Sequence, residues 1–320
     1  MSESATHRTV IVTPVFEDAQ ACARLFTEIA ASLGSEAYVV AVDDGSVRQP
    51  LDAGMIAAAG LEGAVITLRR NVGHQRAIAV GLSYVADQLA DARRVVVMDS
   101  DGEDLPASIA TLLQALEPEA VDVVVAERGN RVESRRFRAF YVVYKGLFRL
   151  LSGRAISFGN FMALKRPALQ RLVAMPELWI HVAGSVLLSK LRVRKCTLDR
   201  GARYAGHSKM NFVGLALHGF RGLMIFAEDV LVRVGLACAL IAMFSVLGGA
   251  AAVVLKVLNF ATPGWFSVAL GILLLVFLQT GALTLMTLML TGVVKGSTVA
   301  AVDYQSFIDR VGRTGDRQAD

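Results

Sequence analysis

The stretch Val95–Pro106, with the sequence VVVMDSDGEDLP, decides how the rest of the chain is interpreted. Four apolar residues lead into Asp99, and Asp101 follows two positions later, so a strand would direct both carboxylates to the same side. At the carboxyl end of a strand, two such side chains can converge on a divalent cation that bridges two phosphates. A solvated acidic turn that caps the next helix is an equally good interpretation of this stretch taken alone.

Short apolar runs alternate with helical patterns on both sides of this stretch, which predicts an α/β fold with a parallel sheet and crossover helices. The predicted strands are Thr9–Phe16, Ala37–Val42, Ala64–Leu68, Arg94–Met98, Val121–Ala126 and Phe158–Leu164. The predicted helices are Glu17–Leu33, Pro50–Ala59, a segment after His74 that ends near Leu89, Pro106–Leu116 and Pro167–Val173. The polar tail Asp303–Asp320 is expected to be partly disordered.

Polar side chains stand where the first, second and fourth predicted strands end. They are Phe16-Glu17-Asp18, Asp43-Asp44 and Asp99 to Asp101. Ligands of parallel α/β sheets bind beyond the carboxyl ends of the strands, so we expect the binding site there. The chain has no GxGxxG after its first strand and no GxxxxGK[ST], which argues against a nicotinamide enzyme and a P-loop NTPase.

The residue types at these strand ends suit a nucleotide held through its base, its ribose and a metal-bridged diphosphate. Asp44 could accept hydrogen bonds from a base edge, or it could be a plain turn residue before Gly45. Asp99 and Asp101 could hold the ribose and Mg²⁺ or Mn²⁺, which would stabilise a diphosphate leaving group as a Lewis acid. Basic side chains that could neutralise phosphates are Arg128, Arg203 and Lys209, although isolated basic residues are usually solvated.

Two long apolar runs follow, Leu231–Val257 and Trp265–Val294, and they account for the high mean hydropathy of +0.50. A helix needs about 20 apolar residues to span a bilayer, so both runs are long enough, and a buried helical hairpin is the alternative. Basic residues flank the pair on its outer sides, which by the positive-inside rule puts both termini in the cytoplasm. We therefore expect a multi-pass protein of the cytoplasmic (inner) membrane with a cytoplasmic catalytic domain.

Two further segments combine apolar stripes with basic residues, Ser134–Leu151 and Met210–Asp229. The first could lie at a membrane interface or pack on the core with a basic outer face, and the second leads into the membrane part. The formal net charge of +5 includes basic clusters that suit phosphates, an anionic membrane surface or nucleic acid. The three widely separated cysteines predict free thiols in a reducing compartment, and the N-terminus has no export signal.

The chain resembles a family 2 glycosyltransferase of the polyprenyl-phosphate (dolichyl-phosphate) sugar synthase group, of the membrane-anchored bacterial type. The resemblance covers about Thr9 to Val294 and rests on motifs that occur in order. They are Pro14-Val15-Phe16-Glu17-Asp18 for P-x-Y-N-E, Val42-Asp43-Asp44-Gly45-Ser46 for VDDGS, Arg70-Asn71-Val72-Gly73-His74 for RN-x-G, Asp99-Ser100-Asp101-Gly102-Glu103-Asp104-Leu105-Pro106 for DADLQDPP, and Arg203-Tyr204-Ala205-Gly206-His207-Ser208-Lys209 for RxxGxSK.

The resemblance implies a GT-A (Rossmann-like) domain with a C-terminal two-helix transmembrane hairpin. It also implies inverting transfer of a sugar from a UDP- or GDP-sugar to a polyprenyl phosphate. The catalytic and metal-binding residues implied are Asp99 and Asp101. The nucleotide-sugar contacts implied are Pro14, Val15, Phe16, Asp18, Val42, Asp44, Ser100, Glu103 and Arg128. The phosphate or acceptor contacts implied are Arg203, Lys209 and Asn160.

The chain departs from the family pattern at Gly159-Asn160-Phe161, where many members carry G-D-F with an aspartate that is a proposed base. Asparagine cannot act as a base. A phosphate acceptor is already anionic near neutral pH, so a base is dispensable for it. The alternatives are a different lipid or glycan acceptor, or a non-catalytic nucleotide-sugar-binding scaffold.

The predicted domains are a catalytic domain at 1–209, an amphipathic interface segment at 210–230, two transmembrane helices within 231–294 and a cytoplasmic tail at 295–320. The expected partners are the nucleotide-sugar, the polyprenyl phosphate and the lipid bilayer. We expect no nucleic acid, and a homo-oligomer stays open.

Overall fold

A computed structural model describes residues 9–128, 146–154, 158–204, 219–260, 264–296 and 302–316. The chain divides into two compact units. The first comprises Met1–Arg138, Ile156–Ile225 and Ala301–Asp320, and the second comprises Ala139–Ala155 and Phe226–Ala300. The catalytic motifs predicted from the sequence all fall in the first unit.

The described part of the first unit is built on one eight-stranded sheet in the order β7-β5-β6-β4-β1-β2-β3-β8. The strands are β1 (Thr9–Val15), β2 (Ala37–Asp43), β3 (Glu62–Leu68), β4 (Arg94–Val97), β5 (Val123–Arg128), β6 (Phe158–Lys165), β7 (Val193–Leu198) and β8 (Ile308–Arg313). Helices and short 3₁₀ turns connect them. The helices are α1 (Ala19–Leu33), α2 (Ala53–Ala58), α3 (His74–Gln88), α4 (Ile109–Leu116), α5 (Arg166–Val173) and α6 (Val182–Leu188).

Both faces of the sheet are covered, which explains why its central strands are apolar throughout. In β1, Val10 and Val12 pack into one core with α3, α5 and α6. Ile11 and Val15 point the opposite way into a second core with α1, α2 and α4. The alternation of side chains along the strand thus supplies both cores from one apolar run. The result is a three-layer α/β/α arrangement.

The predicted parallel pairing is confirmed for β1 to β4, but it does not hold for β6, one of the predicted strands, or for β8, which was not predicted as a strand. β6 lies antiparallel between β4 and β5, and β8 lies antiparallel on β3. The apolar content of a strand reports that it is buried, not which way it runs, so the sequence pattern could not detect this. β7 was not predicted at all because half of its residues are polar, as suits its position at the edge of the sheet.

The C-terminal tail forms part of the sheet, whereas the sequence suggested partial disorder. After a 3₁₀ turn at Tyr304–Phe307, β8 pairs with β3 along its length. The Phe307 ring stacks on Trp179 with centroids 5.5 Å apart, and Tyr304 donates a hydrogen bond to Asp87 at 2.7 Å. The tail covers a strand edge that would otherwise offer free backbone groups.

The second unit is dominated by two long helices, α7 (Ala227–Val257) and α8 (Trp265–Gly296). Within the described residues, these are the helices long and apolar enough to cross a membrane. Their large apolar side chains are widely exposed, as Leu278 (60%) and Met289 (76%) illustrate. Apolar residues all round a helix require a non-aqueous environment. The two predicted spans are confirmed as helices of sufficient length.

A short helical segment over residues 146–152 packs against the start of α7 within the same unit. Phe148 meets Phe226 edge-to-face with centroids 5.9 Å apart, and Arg233 donates a hydrogen bond to the Leu150 carbonyl at 3.2 Å. This segment is the end of the basic amphipathic stretch predicted at 134–151. Residues 134–145, and residues 210–218 of the second such stretch, lie outside the described residues.

Candidate active site

The candidate site lies at one edge of the sheet because four central strands are parallel. β1 pairs in parallel with β2 and β4, and β2 pairs in parallel with β3. Their carboxyl ends therefore meet at the same edge, as the sequence predicted for the first, second and fourth strands. β6 runs the opposite way, so it begins at this edge. Its register pairs Met162 with Val97, and continuing by two residues puts Asn160 opposite Asp99.

The acidic loop after β4 folds back on itself through its own carboxylates. The Asp99 amide donates to Asp104 Oδ2 at 2.9 Å, and the Glu103 amide donates to Asp101 Oδ1 at 3.0 Å. Gly102 has a φ of +86°, and a Cβ there would lie 2.8 Å from the ring of Tyr204. Glycine is therefore needed at this position both for its backbone conformation and for the close approach of the tyrosine.

Two arginines from the segment after β7 neutralise this loop. Arg203 Nη2 lies 2.9 Å from Asp101 Oδ2, and its Nε lies 3.0 Å from Glu103 Oε1. Arg200 forms an ion pair with Glu103. The Tyr204 amide donates to the Asp101 carbonyl at 2.9 Å. The acidic loop and the basic segment thus form one cluster, although about 100 residues separate them in the sequence.

The carboxylates in this cluster are partly withdrawn from water. Desolvation and the neighbouring Asp99 charge raise the pKa of Asp101, while Arg203 and Arg200 oppose that rise. Desolvation lowers the pKa of Arg200, although Asp101 and Asp99 act in the opposite direction. Like charges held close together favour a cation between them.

The loop after β2 supports the loop after β3. Asp44 is 3% exposed, and its two oxygens accept hydrogen bonds from the amides of Val72 (2.7 Å) and Gly73 (3.0 Å). Desolvation raises the pKa of Asp44, and the two amide hydrogen bonds limit the rise. A Cβ at Gly45 would lie 2.5 Å from the Arg70 backbone, so the two loops touch directly. Asp44 thereby fixes the turn that begins α3.

His74, the first residue of α3, extends from that turn toward the acidic pair. Its Nε2 lies 3.1 Å from Asp99 Oδ1 and 3.1 Å from Asn160 Nδ2. Gln75 donates from Nε2 to Asn160 Oδ1 at 3.3 Å and accepts at Oε1 from the Val182 amide at 2.7 Å. Desolvation lowers the pKa of His74, but the charges of Asp99, Asp101 and Asp44 outweigh it, so the pKa is raised overall.

The sequence model of Glycosyl transferase family 2 matches residues 10–172, just over half of the 320-residue chain. The chain belongs to glycosyltransferase family 2. The matched region runs from β1 into α5 and includes the acidic loop, the Asp44 loop, His74 and Asn160. This enzyme therefore carries its family match on the elements that form the candidate site.

Curated relatives of this glycosyltransferase are distant. It is 24% identical over 254 residues to the uncharacterised glycosyltransferase YkoT of Bacillus subtilis (strain 168), covering 77% of this chain and 73% of YkoT. It is 25% identical over 212 residues to the undecaprenyl-phosphate 4-deoxy-4-formamido-L-arabinose transferase of Salmonella paratyphi B. That match covers 64% of this chain and 63% of the transferase, so the chain spans less than two thirds of that relative's length.

Solved structures with the same fold come from glucosyl-3-phosphoglycerate synthase of Mycobacterium tuberculosis. A complex of that enzyme with phosphoglyceric acid gives a TM-score of 0.51 at 16% identity, covering 71% of this chain and 82% of that one. A complex with Mn²⁺, UDP and phosphoglyceric acid gives 0.50 at 17% identity, covering 72% and 80%. Together with the family match, this likeness confirms the predicted GT-A-like fold.

The donor set of the glycosyltransferase suits a divalent cation that is shared with a diphosphate. Among the described residues, no group of three or more His, Cys, Asp or Glu side chains is arranged to hold a metal ion. Mg²⁺ is usually bound through one or two carboxylates plus substrate phosphates, not by a cage of protein ligands alone. Asp99 and Asp101 therefore fit a metal that arrives with the nucleotide.

The other residues predicted to contact the nucleotide differ in how far their side chains are exposed. Pro14, Val15 and Val42 are buried in β1 and β2, so only their backbone atoms can reach a ligand. The Phe16 ring is 43% exposed at the end of β1, where it can contact a base. Ser100 is nearly buried within the acidic loop. The half-buried Asp18 stands just before α1, at the same sheet edge as Phe16.

The basic residues predicted to bind phosphate also differ in where they lie. Arg203 lies at the acidic pair, Arg128 is the last residue of β5 at the same edge, and Lys209 lies outside the described residues. Sequence reasoning missed His74, Gln75 and Arg200 as site residues. His74 could have been found by the rule that selected Asp44 and Asp99, since it follows the end of the third strand.

Proposed function

We propose that this family 2 glycosyltransferase transfers a sugar from a UDP- or GDP-sugar to a polyprenyl phosphate at the cytoplasmic face of a membrane, with inversion at the anomeric carbon. The observation that carries the proposal is the Asp99–Asp101 pair, which lies at the strand ends beside two arginines in a chain with two long apolar helices. The Salmonella relative is named for an undecaprenyl-phosphate acceptor. The mycobacterial enzyme of the same fold was solved with Mn²⁺ and UDP.

The residues of the pair would hold Mg²⁺ or Mn²⁺ together with the donor diphosphate. A cation bound there supplies Lewis-acid stabilisation of the leaving nucleoside diphosphate. Arg203 and Arg200 already lie on the acidic loop through their ion pairs with Asp101 and Glu103, and they would add positive charge beside that diphosphate. An acceptor phosphate is anionic near neutral pH, so this site needs alignment and charge stabilisation more than a general base.

The nucleotide would lie across the ends of β1, β2 and β4. Phe16 offers an exposed ring that can contact the base. Asp44, Asp18 and Ser100 are proposed as further nucleotide contacts, through side-chain or backbone groups. The Arg128 and Lys209 side chains are proposed as further phosphate contacts.

The connectivity of the chain supports an even number of membrane crossings. β7 precedes α7 in the chain, β8 follows α8, and both strands belong to the same sheet. In the proposed arrangement, both ends of the helical pair would therefore emerge on one side of a bilayer. We propose that this side is the cytoplasm. Arg233 lies near the start of α7, Arg310 and Arg313 follow α8, and basic residues favour the cytoplasmic side of a membrane.

This topology can be tested by thiol labelling of intact cells. Phe260, in the turn between α7 and α8, is 77% exposed. Phe260→Cys in a background with Cys196→Ser and Cys238→Ser should react with a membrane-impermeant maleimide added outside, and the parent should not. Labelling only after the cells are lysed would contradict the proposed orientation.

The proposed reaction can be tested directly with the purified protein in detergent. We would incubate it with a panel of UDP- and GDP-sugars, undecaprenyl phosphate and Mn²⁺ or Mg²⁺, and identify the lipid product by mass spectrometry. We expect one nucleotide-sugar to give a glycosylated lipid phosphate, and Asp101→Ala to abolish it. Phosphoglyceric acid belongs in the acceptor panel because the mycobacterial enzyme of this fold bound it. Transfer to that acceptor, with none to the lipid, would reject the proposed acceptor.

A further inference from the structure

The middle of α8 carries a polar side chain, Gln279, that is exposed in the second unit. We propose that Gln279 belongs to an interface between two copies of this chain, in which the two α8 helices pack in parallel and the two Gln279 amides hydrogen-bond to each other. This inference goes beyond the proposed reaction, but it rests on the proposed membrane placement of α7 and α8.

Gln279 lies near the centre of the apolar range of its helix. That range is Trp265–Thr291, and Gln279 follows its first residue by 14 positions and precedes its last by 12. At a rise of about 1.5 Å per residue, Gln279 is about 18–21 Å from either end. The hydrocarbon core of a bilayer is about 30 Å thick, so the side chain would lie close to the midplane, where no water solvates an amide.

The hydroxyl groups that follow Gln279 in α8 are satisfied within the helix. Thr280, Thr284, Thr287 and Thr291 each donate a hydrogen bond to a backbone carbonyl of the preceding turn, at 2.7–2.8 Å. Gln279 differs, because its amide makes no hydrogen bond within the described part of the chain. Polar side chains inside a membrane are costly and usually face another helix, so this amide calls for a partner outside its own chain.

The packing of α8 on α7 leaves the Gln279 side of the helix uncovered. A Cβ added to the α7 glycines opposite would lie 3.3 Å from Leu273 and 2.9 Å from Thr287, so these two residues face α7. At about 100° per residue, Gln279 is turned by about 80–120° from them. Leu275 and Met286 lie within about 40° of Gln279, and they are 63% and 55% exposed. We call Leu275, Gln279 and Met286 the Gln279 face.

A second copy of the chain matches this face by its chemistry. An amide carries both donors and an acceptor, so two Gln279 side chains that meet can satisfy each other through two reciprocal hydrogen bonds. Both copies would cross the bilayer in the same direction, so a two-fold axis along the membrane normal brings Gln279 against Gln279 at the same depth. A lipid chain offers neither a donor nor an acceptor, and an unrelated membrane protein would need a polar group at that same depth.

The first test maps the face by disulfide cross-linking of the full-length protein in its native membrane. In a background with Cys196→Ser and Cys238→Ser, an oxidant should convert Met286→Cys into a covalent dimer, because equivalent residues of the Gln279 face meet at the axis. Leu288→Cys is the matched control: Leu288 is 60% exposed and lies two residues further along α8, on the opposite side of the helix. It should stay monomeric, and equal cross-linking at the two positions would overturn the proposal.

The second test measures self-association by energy transfer between labelled full-length proteins in lipid vesicles, over a range of protein-to-lipid ratios. Loss of two interhelical hydrogen bonds should raise the dissociation constant of Gln279→Leu by about tenfold or more. Gln279→Asn keeps an amide and should retain most of the association. An unchanged dissociation constant in Gln279→Leu would overturn the proposal. So would a wild type that stays monomeric, which would mean that lipid or a different membrane protein covers this face.

Failure of the membrane placement has a different signature. Alkaline carbonate releases peripheral proteins from membranes and leaves integral proteins in the pellet. Release of the wild type would reject both the placement and the interface, whereas an integral but monomeric wild type would reject only the interface. A dimeric wild type that gives no lipid product would reject the proposed reaction and leave the interface standing.

Discussion

Replacement of Asp44 by asparagine should loosen the turn that carries His74. Both carboxylate oxygens of Asp44 accept hydrogen bonds from backbone amides, at 2.7 Å from Val72 and 3.0 Å from Gly73. Asparagine offers one acceptor, so its NH₂ group would face the second amide and leave that N–H without a partner. An unsatisfied donor at a buried site costs about 1–3 kcal/mol.

A second effect acts in the opposite direction. Burial raises the pKa of Asp44 by desolvation, so a neutral side chain relieves part of the cost of burying the charge. The hydrogen bond that survives also loses its charge assistance, which costs about 1 kcal/mol. These two changes roughly offset each other, and the expected net loss of local stability is about 1–3 kcal/mol.

Hydrogen exchange measures this loss where it occurs. A local destabilisation of that size makes the amides of the 69–76 peptide exchange about 5- to 150-fold faster in Asp44→Asn, since each 1.4 kcal/mol is about tenfold. Asp91→Asn, at an exposed aspartate in the turn before β4, is the matched control and should exchange like the wild type. Exchange within about twofold of the wild type in Asp44→Asn would refute the assignment of Asp44 as the support of this turn.

Two further substitutions test the loops and the sheet. Gly102→Ala should weaken Mn²⁺ binding in the presence of UDP or GDP, because the added Cβ would meet the ring of Tyr204. Gly60→Ala is the control: Gly60 has a similar φ of +76°, but an added Cβ would meet no atom within 4 Å, so binding should not change. Equal losses in the two variants would reject the close approach of the tyrosine as the cause. Asp122→Asn should lower the melting temperature at pH 7, because the hydrogen-bonded Arg192 guanidinium holds the pKa of Asp122 at about 2. Since that folded-state pKa is depressed, the stabilisation is present above about pH 4 and is lost as the pH falls toward 2, so the two proteins should converge over that range. A difference that stays constant from pH 7 to pH 3 would contradict the ion-pair explanation.

The position of the candidate site could be predicted from the sequence because it depends on one geometric rule. Asp44 and Asp99 each follow a buried apolar run, and the carboxyl ends of parallel strands meet at one edge. This prediction did not require the distance between Asp44 and Asp99. The same rule would have included His74, had it been applied to the third strand.

The partners of these residues could not be predicted, because they depend on strand direction and register. Asn160 lies opposite Asp99 and beside His74 only because β6 runs antiparallel to β4, and nothing in its apolar pattern reports direction. Arg200 reaches Glu103 because β7 joins the sheet at its edge, where a strand needs few apolar residues. The tail was misjudged for a related reason: β8 lies on an edge and is half polar, so its sequence looks like that of a disordered segment.

The central claim is that Asp99 and Asp101 form a metal–diphosphate site, and one measurement tests it most directly. It is the affinity of the protein for the nucleoside diphosphate of its donor, with and without Mn²⁺, in the wild type and in Asp101→Asn. We predict that Mn²⁺ tightens nucleotide binding by about tenfold or more in the wild type and has no effect in Asp101→Asn, while binding without metal stays similar in both. An equal Mn²⁺ effect in the two proteins would contradict the claim.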